Sequence, residues 1–220
     1  RMGTEKFYSY LKKFGLGQKT GVDIASESSG ILMNSKNVKN VDLARIGFGQ
    51  AVAVTPLQLV TAVCSAVNGG NLFTPTIVKK ISTYDNKTKS IHDPKPKSRT
   101  ISRQTSKTLN EMLKKVVNKK EEYSFIPGFD VGGKTATAQK YQNGAIARGK
   151  YVSSFIGTYP ASNPKYVMLF LVDEPGAGAY YGSVVAAPYA KQVFSNMFEY
   201  LNEKPIKEVN VKYVDMPELV

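Results

Sequence analysis

The sequence predicts an α/β sandwich, an antiparallel sheet packed by helices. Three observations carry that expectation. Strand-like patterns recur at residues 132–140, 151–159 and 166–173. A helical pattern over 188–201 then sets Val193, Phe194, Met197, Phe198 and Leu201 on one apolar face suited to packing on a sheet. The run at 166–172 is almost wholly apolar, so that strand is expected at the centre of the sheet.

Taken in order, residues 4–14 place Phe7, Leu11 and Phe14 three and four apart before Gly15 and Gly17, which reads as a short helix with a stop. The stretch TGVDIASESSGIL is too rich in Gly and Ser for a long element and reads as a surface loop. At Thr55-Pro56-Leu57-Gln58 a capping box coincides with Pro at the first helical position, so a helix starts there. Leu57, Leu59, Val60, Val63, Cys64 and Val67 make it apolar around most of its circumference, which predicts burial, and Asn68-Gly69-Gly70 ends it. Residues 102–118 form an amphipathic surface helix, with Leu109, Met112, Leu113, Val116 and Val117 on one stripe and lysines opposite.

Composition narrows the function classes. The 220 residues are 42% hydrophobic, 21% charged and 10% aromatic, which is the globular range. The longest apolar run, 166–172, is far short of the roughly 20 residues a membrane helix needs. The chain opens on Arg1, so the native start is expected upstream. A lone Cys64 excludes an internal disulfide and reads as core packing. His92, also alone, lies in SIHDPKPKS, which reads as loop, so neither a zinc site nor a Ser-His-Asp triad is expected from these residues, and no metal or organic cofactor. The net charge of +13 is concentrated: residues 79–120 hold thirteen basic groups against Asp85, Asp93 and Glu111, a local +10. Such a block attracts anionic lipid, wall polymer or nucleic acid, or is simply a solvated face. No zinc-finger or RNP signature accompanies it, which argues against nucleic acid.

The most informative stretch is Gly132-Gly133-Lys134-Thr135-Ala136-Thr137-Ala138-Gln139-Lys140. Strand alternation sends Thr135 and Thr137 to one face, and two hydroxyls beside an ammonium form a place for a carboxylate. A free strand edge there also pairs with extended peptides. The plain alternative is a Thr-rich edge strand with a solvated Lys.

This stretch resembles the K-T-G motif of the penicillin-binding proteins and serine β-lactamases, which also use S-x-x-K and S-x-N. The blocks GLGQKTGVDIASESSGIL, IGFGQAVAVTPLQLVTAVCSAVNGG, GGKTATAQK, YVSSFIGTYPASNPKYVMLFLVDEP and YGSVVAAPYAKQVF are similar, in order and spacing, to a class B penicillin-binding protein of the division and sporulation subgroup. The resemblance covers roughly residues 1–201. It implies the penicillin-binding protein/serine β-lactamase-like sandwich, here as a partial domain. It also implies a peptidoglycan D,D-transpeptidase, in which a serine takes the acyl group of a D-Ala-D-Ala stem peptide and passes it to a neighbouring amine. The implied partners are stem peptides, β-lactam antibiotics and the cell-wall proteins of division or sporulation. The implied location is the extracytoplasmic face of the bacterial membrane, with an anchor upstream.

On the same resemblance, Lys134 supplies charge and a hydrogen bond to the S-x-N serine, and the Thr135 and Thr137 hydroxyls hold the substrate or drug carboxylate. The Thr137 N–H is half of an oxyanion hole. Ala136 occupies the substrate-binding position where the family has Gly, adding a methyl group. Ser9-Tyr10-Leu11-Lys12, Ser162-Asn163-Pro164-Lys165 and Ser35-Lys36-Asn37 match the other motifs in letters but lie wrongly in the blocks, so they read as chance matches. The nucleophile is therefore expected before Arg1. Residues 1–203 are expected to be the C-terminal part of the transpeptidase domain. Residues 204–220 form an extended linker whose VNVKYVDMPELV resembles the opening of a PASTA module. The absent serine and Ala136 leave one rival, a non-catalytic scaffold of the wall machinery.

Overall fold

The computed structural model describes residues 2–91, 93–117, 123–142, 145–176 and 178–206. His92 and most of the linker, 207–220, lie outside the described residues. Helix α1 (Thr4–Lys13) leads through a loop and a 3₁₀ turn (Ser35–Asn37) to α2 (Asn40–Gly47) and α3 (Pro56–Val67). A short ladder joins β1 (Asn71–Leu72) to β4 (Ser98–Arg99), and β2 (Lys80–Ser82) pairs with β3 (Thr88–Ile91) as a hairpin between them. After α4 (Arg103–Val117) come β5 (Gly132–Gln142), β6 (Ala145–Tyr159) and β7 (Tyr166–Asp173), antiparallel in the order β5–β6–β7. Two helices, α5 (Gly182–Val185) and α6 (Ala187–Tyr200), complete the described chain.

The start of α3 is built as its sequence requires. Thr55 Oγ1 accepts from the Gln58 N–H at 3.1 Å, and Gln58 Oε1 accepts from the Thr55 N–H at 2.8 Å. The Gln58 amide then donates to the carbonyls of Gln18 and Ser29, at 2.6 and 2.8 Å, so one buried, fully paired side chain staples the 18–29 loop onto the helix. The side chains buried on α3 are Gln58, Ala62, Ser65 and Val67, while its larger aliphatics are half-buried. Cys64 is half-buried as well, and burial pushes its thiol pKa up, which suits packing rather than reactivity.

Helix α4 departs from its apolar stripe. Val117 is buried as expected and Leu109 and Leu113 are half-buried, but Met112 and Val116 are exposed, and Ser106 and Asn110 are buried in their place. Hydrogen bonds explain the rotation: Ser106 Oγ accepts the Gly69 N–H at 3.0 Å, and Asn110 Nδ2 donates to the Val67 carbonyl at 3.0 Å. These polar side chains satisfy orphan groups at the carboxyl end of α3, which apolar packing of the expected stripe would leave unpaired. Beside them Thr100 N–H reaches the Gly70 carbonyl at 2.7 Å.

The main core lies between the sheet and α6, where Phe155, Tyr159, Ala187, Ala190, Phe194 and Phe198 are buried. Phe198 stacks on Phe129 at 4.2 Å between ring centroids. Gly157 leaves room for the Phe194 ring, because a Cβ there would come within 2.5 Å of it. Val193, expected in this face, is exposed.

Among the described residues β6 lies between β5 and β7, so the strand expected at the centre from its apolar run, 166–173, has one described neighbour. Met168, Phe170 and Val172 of β7 pack on the core, but among the described residues β7 pairs only with β6. An apolar run reports apolar contact on the faces of a strand and is silent about partners along its edges. The basic block is contributed by the β2–β3 hairpin, β4 and α4. Lys114 of this block pairs with the buried Asp130 at 2.8 Å, so it also serves as a structural tie.

Candidate functional site

The site is built on β5, an outer strand of the sheet among the described residues. Register pairs Lys134 with Ile156, Thr135 with Phe155, Ala136 with Ser154 and Thr137 with Ser153. Phe155 in turn opposes Phe170, whose ring stacks over Tyr189 of α6, so Thr135 and Thr137 share the face that looks toward α5 and α6. Lys134 and Ala136 take the opposite face, and both are exposed. The sequence thus gave the two threonines their common face correctly, and the ammonium reaches them around the strand edge rather than across a face.

That reach is visible in one contact. Lys134 Nζ donates to the Thr135 carbonyl at 2.8 Å, which orients this carbonyl away from β6. In an antiparallel ladder alternate residues bond to the partner, so the Thr135 and Thr137 backbone groups project from the outer edge, with the Lys134 charge beside them. Lys134 has no ion pair among the described residues. Lys140, six residues on, is engaged: Glu174 at 2.8 Å and Asp173 at 2.9 Å hold its ammonium and raise its pKa. Of the two lysines in the motif, only Lys134 is free to meet an anion.

The neighbours of Thr137 come from a segment that periodicity does not reveal. The Gly182 N–H donates to Thr137 Oγ1 at 3.0 Å, and the Ser153 hydroxyl donates to the Tyr180 carbonyl. A hydroxyl that accepts from an N–H keeps its own proton to donate, so Thr137 is set up as a donor toward an acceptor beyond the edge. Gly182 lies so close that an added Cβ would stand 2.4 Å from the Ala136 carbonyl oxygen and 2.5 Å from that of Ser154. Tyr180 stacks on Tyr151 at 4.1 Å and hydrogen-bonds Tyr181, which lifts its pKa. The signal for this segment was the Tyr180-Tyr181-Gly182 run ahead of VVAAP, legible only as part of a family block.

The three serines of the chance motif matches have structural roles or settings. Ser9 Oγ donates to the Lys6 carbonyl at 2.8 Å on an exposed helix face. Ser162 Oγ donates to Asp130 Oδ2 at 2.8 Å in the turn between β6 and β7. Ser35 opens a 3₁₀ turn capped by Asn34.

Chemically, then, β5 offers an exposed cation, an oriented hydroxyl and outward backbone groups on one edge, in a chain whose residues 1–195 match the model of the penicillin binding protein transpeptidase domain. The chain belongs to that family. Among its relatives is stage V sporulation protein D of Bacillus subtilis, 41% identical over 216 residues, covering 97% of this chain and 33% of that protein. The probable peptidoglycan D,D-transpeptidase PenA of Neisseria gonorrhoeae is 29% identical, covering 99% and 36%. Among solved structures, penicillin-binding protein 3 from Mycobacterium tuberculosis in complex with ampicillin aligns with a TM-score of 0.82 at 28% identity, over 95% of this chain and 48% of that one. The apo transpeptidase domain of penicillin-binding protein 3 from Burkholderia pseudomallei aligns with a TM-score of 0.78 at 28% identity, over 94% and 60%. The expected α/β penicillin-binding protein sandwich is therefore the fold. The chain spans about a third of the length of these curated relatives. No helix among the described residues is long and apolar enough to cross a membrane.

Proposed function

We propose that residues 1–203 are the C-terminal part of a D,D-transpeptidase domain that cross-links peptidoglycan stem peptides at the outer face of a bacterial membrane, where β-lactams acylate the same serine. Residues 204–220 lead onward as a linker. In this reading the nucleophilic serine and the S-x-N motif lie upstream of Arg1. The serine hydroxyl attacks the carbonyl of the penultimate D-Ala, an ester forms as the C–N bond to the terminal D-Ala breaks, and that D-Ala leaves with the proton on its amine. A stem-peptide amine of a second strand then displaces the serine.

The observation that carries the proposal is the β5 edge, with Lys134 Nζ on the Thr135 carbonyl and the Thr137 hydroxyl held by Gly182. Lys134 faces the S-x-N serine and draws in the substrate carboxylate. The Thr135 and Thr137 hydroxyls bind that carboxylate, and the outward Thr137 N–H stabilises the tetrahedral oxyanion together with the nucleophile's own N–H. Ala136 lies beneath the bound peptide. A substrate laid along this edge as an added strand would gain main-chain hydrogen bonds as well.

Acylation of the full-length protein by a labelled penicillin, read by mass spectrometry, tests this. The label is expected on a serine upstream of Arg1, and Lys134→Ala is expected to slow acylation on the order of a hundredfold or more, the usual cost of one preorganised charge or donor. Label on Ser9 would mean the block alignment is wrong. Absence of label would favour the scaffold reading, for which Ala136 is the motivating residue.

A further inference from the structure

Away from β5, a cleft of about 360 Å³ opens between the end of α1, the loop that follows it, α3 and the β1–β4 ladder. No residue of β5, β6 or β7 lines it. Four lysines from three separate segments do: Lys12 and Lys13 at the end of α1, Lys19 in the loop, and Lys97 just before β4. Among the described residues, no acidic side chain lines the cleft.

Each lysine taken singly has an ordinary role. Lys12 and Lys13 complement the carboxyl end of α1, and Lys13 also sits 5.6 Å from the centre of the Tyr10 ring. The Thr20 hydroxyl donates to Glu27 at 2.5 Å and chiefly lowers the Glu27 pKa, and the charge of nearby Lys19 adds to that. These roles do not explain why cations from α1, the loop and the β4 approach converge on one concavity with no carboxylate in its wall. Like charges gathered in a concave, low-dielectric wall focus a positive potential and raise the local concentration of anions.

We propose that this cleft binds a phosphodiester-bearing ligand. The chemistry of the wall chooses phosphate over carboxylate: no Arg lines the cleft to grip a planar carboxylate with its two-pronged fork, whereas several ammonium groups approach a tetrahedral phosphate as point charges from different sides. The volume is roughly ten times the space of one water, far more than a bare phosphate fills, so the ligand has an organic part. Phe14, Leu72 and Phe73 supply an apolar wall for that part, and the Thr61 and Ser98 hydroxyls supply neutral donors. Phosphodiesters of this kind occur in a phospholipid headgroup or in a polymer of polyol phosphates. The proposal does not depend on the transpeptidase reading.

The test uses the full-length protein at physiological salt, with three probes: a fluorescent glycerol phosphate hexamer, phosphatidylcholine vesicles with and without phosphatidylglycerol, and inorganic phosphate as competitor. The triple variant Lys12→Gln, Lys19→Gln, Lys97→Gln is compared with Lys79→Gln, Lys80→Gln, Lys87→Gln in the β2–β3 hairpin, which removes the same charge elsewhere. The cleft triple is expected to weaken binding of the hexamer or of the phosphatidylglycerol vesicles at least thirtyfold, and the hairpin triple less than threefold. Whichever organic probe shows that contrast identifies the source. Equal losses in the two triples, no loss in either, or competition by inorganic phosphate that the cleft triple leaves unchanged would overturn the proposal. Thermal unfolding at the parental midpoint in the cleft triple verifies that it is folded, and a charge-preserving triple of the same lysines to Arg is expected to retain most of the hexamer affinity.

Discussion

Replacing Gly182 with Ala puts a methyl carbon 2.4 Å from the Ala136 carbonyl oxygen and 2.5 Å from the Ser154 carbonyl oxygen. Both neighbours are backbone atoms of paired strands, so no side chain can swing aside. Restoring ordinary carbon–oxygen contact of about 3.3 Å requires the α5 segment or the strands to move by roughly 1 Å. Two effects follow. Overpacking of this kind costs about 1–3 kcal/mol. For a folded unit of this size that lowers the melting temperature by roughly 2–4 °C per kcal/mol. The same shift pulls the Gly182 N–H off Thr137 Oγ1, now 3.0 Å away, and frees the hydroxyl that the proposed site uses. A 1 Å misplacement of a positioning group commonly costs on the order of a hundredfold in rate. Thermal unfolding and the acylation rate with a labelled penicillin, both on the full-length protein, read the two effects separately. Gly176→Ala is the matched control, since a Cβ there meets nothing within 4 Å. If Gly182→Ala melts with the parent and acylates within twofold of it, α5 does not hold Thr137 and the reasoning fails.

Asp130 links α4 to the turn before β7 through Lys114 at 2.8 Å and Ser162 at 2.8 Å. Asp130→Asn is expected to cost about 1.5–3 kcal/mol at pH 7 by urea unfolding, the range for hydrogen bonds to a charged group. Burial pushes the Asp130 pKa up, but the bonds from Lys114 and Ser162 outweigh it and the net shift is downward. A depressed carboxyl pKa gives stability that is full above the unfolded value near 3.9 and is lost as pH falls through the folded value. The difference between parent and variant should therefore shrink below about pH 4, and a constant difference down to pH 2 would contradict the ion-pair account. Asp23 anchors the start of the β2–β3 hairpin by accepting from the Thr76 hydroxyl and the Ile77 and Val78 N–H groups, which brings its pKa down to about 2. Asp23→Asn should speed hydrogen exchange at Ile77 and Val78 at pH 7, while in the parent their protection should persist until pH falls toward 2; unchanged exchange in the variant would show that Asp23 is not the anchor. Ala136→Gly should leave acylation unchanged or faster, and a slower Gly variant would show that the extra methyl group contributes to the site.

The helices were readable where a local device marks their ends. The Thr55–Gln58 box and Pro56 announced α3, and the structure begins it at Pro56. The strands were readable where alternation is regular, but β5 and β6 run on to Gln142 and from Ala145, because the hairpin beyond Lys140 is stabilised by pairing rather than by an apolar pattern. Helix α2, the β1–β4 ladder and α5 gave no signal: at eight, two and four residues each falls short of the window of about 11 or more in which a period shows. The rotation of α4 was hidden for another reason, since Ser106 and Asn110 look like surface residues until the end of α3 is seen beside them. Within the site, Lys134, Thr135, Ala136 and Thr137 stood out in the sequence, but the support of Thr137 by Gly182 spans 45 residues and is a product of the tertiary fold.

The seam between α3 and α4 positions the sheet in a way that an oily contact could not. Apolar side chains tolerate small slides and rotations, because their attraction has no direction. Hydrogen bonds from Ser106 to Gly69 and from Asn110 to Val67 behave instead like teeth, and a slip by one residue would leave a buried carbonyl and an N–H without partners. Helix α4 is thereby indexed, and Lys114 carries that index through Asp130 to the residues entering β5. The placement of Lys134 is accordingly calibrated from the carboxyl end of a helix that contributes no atom to the site.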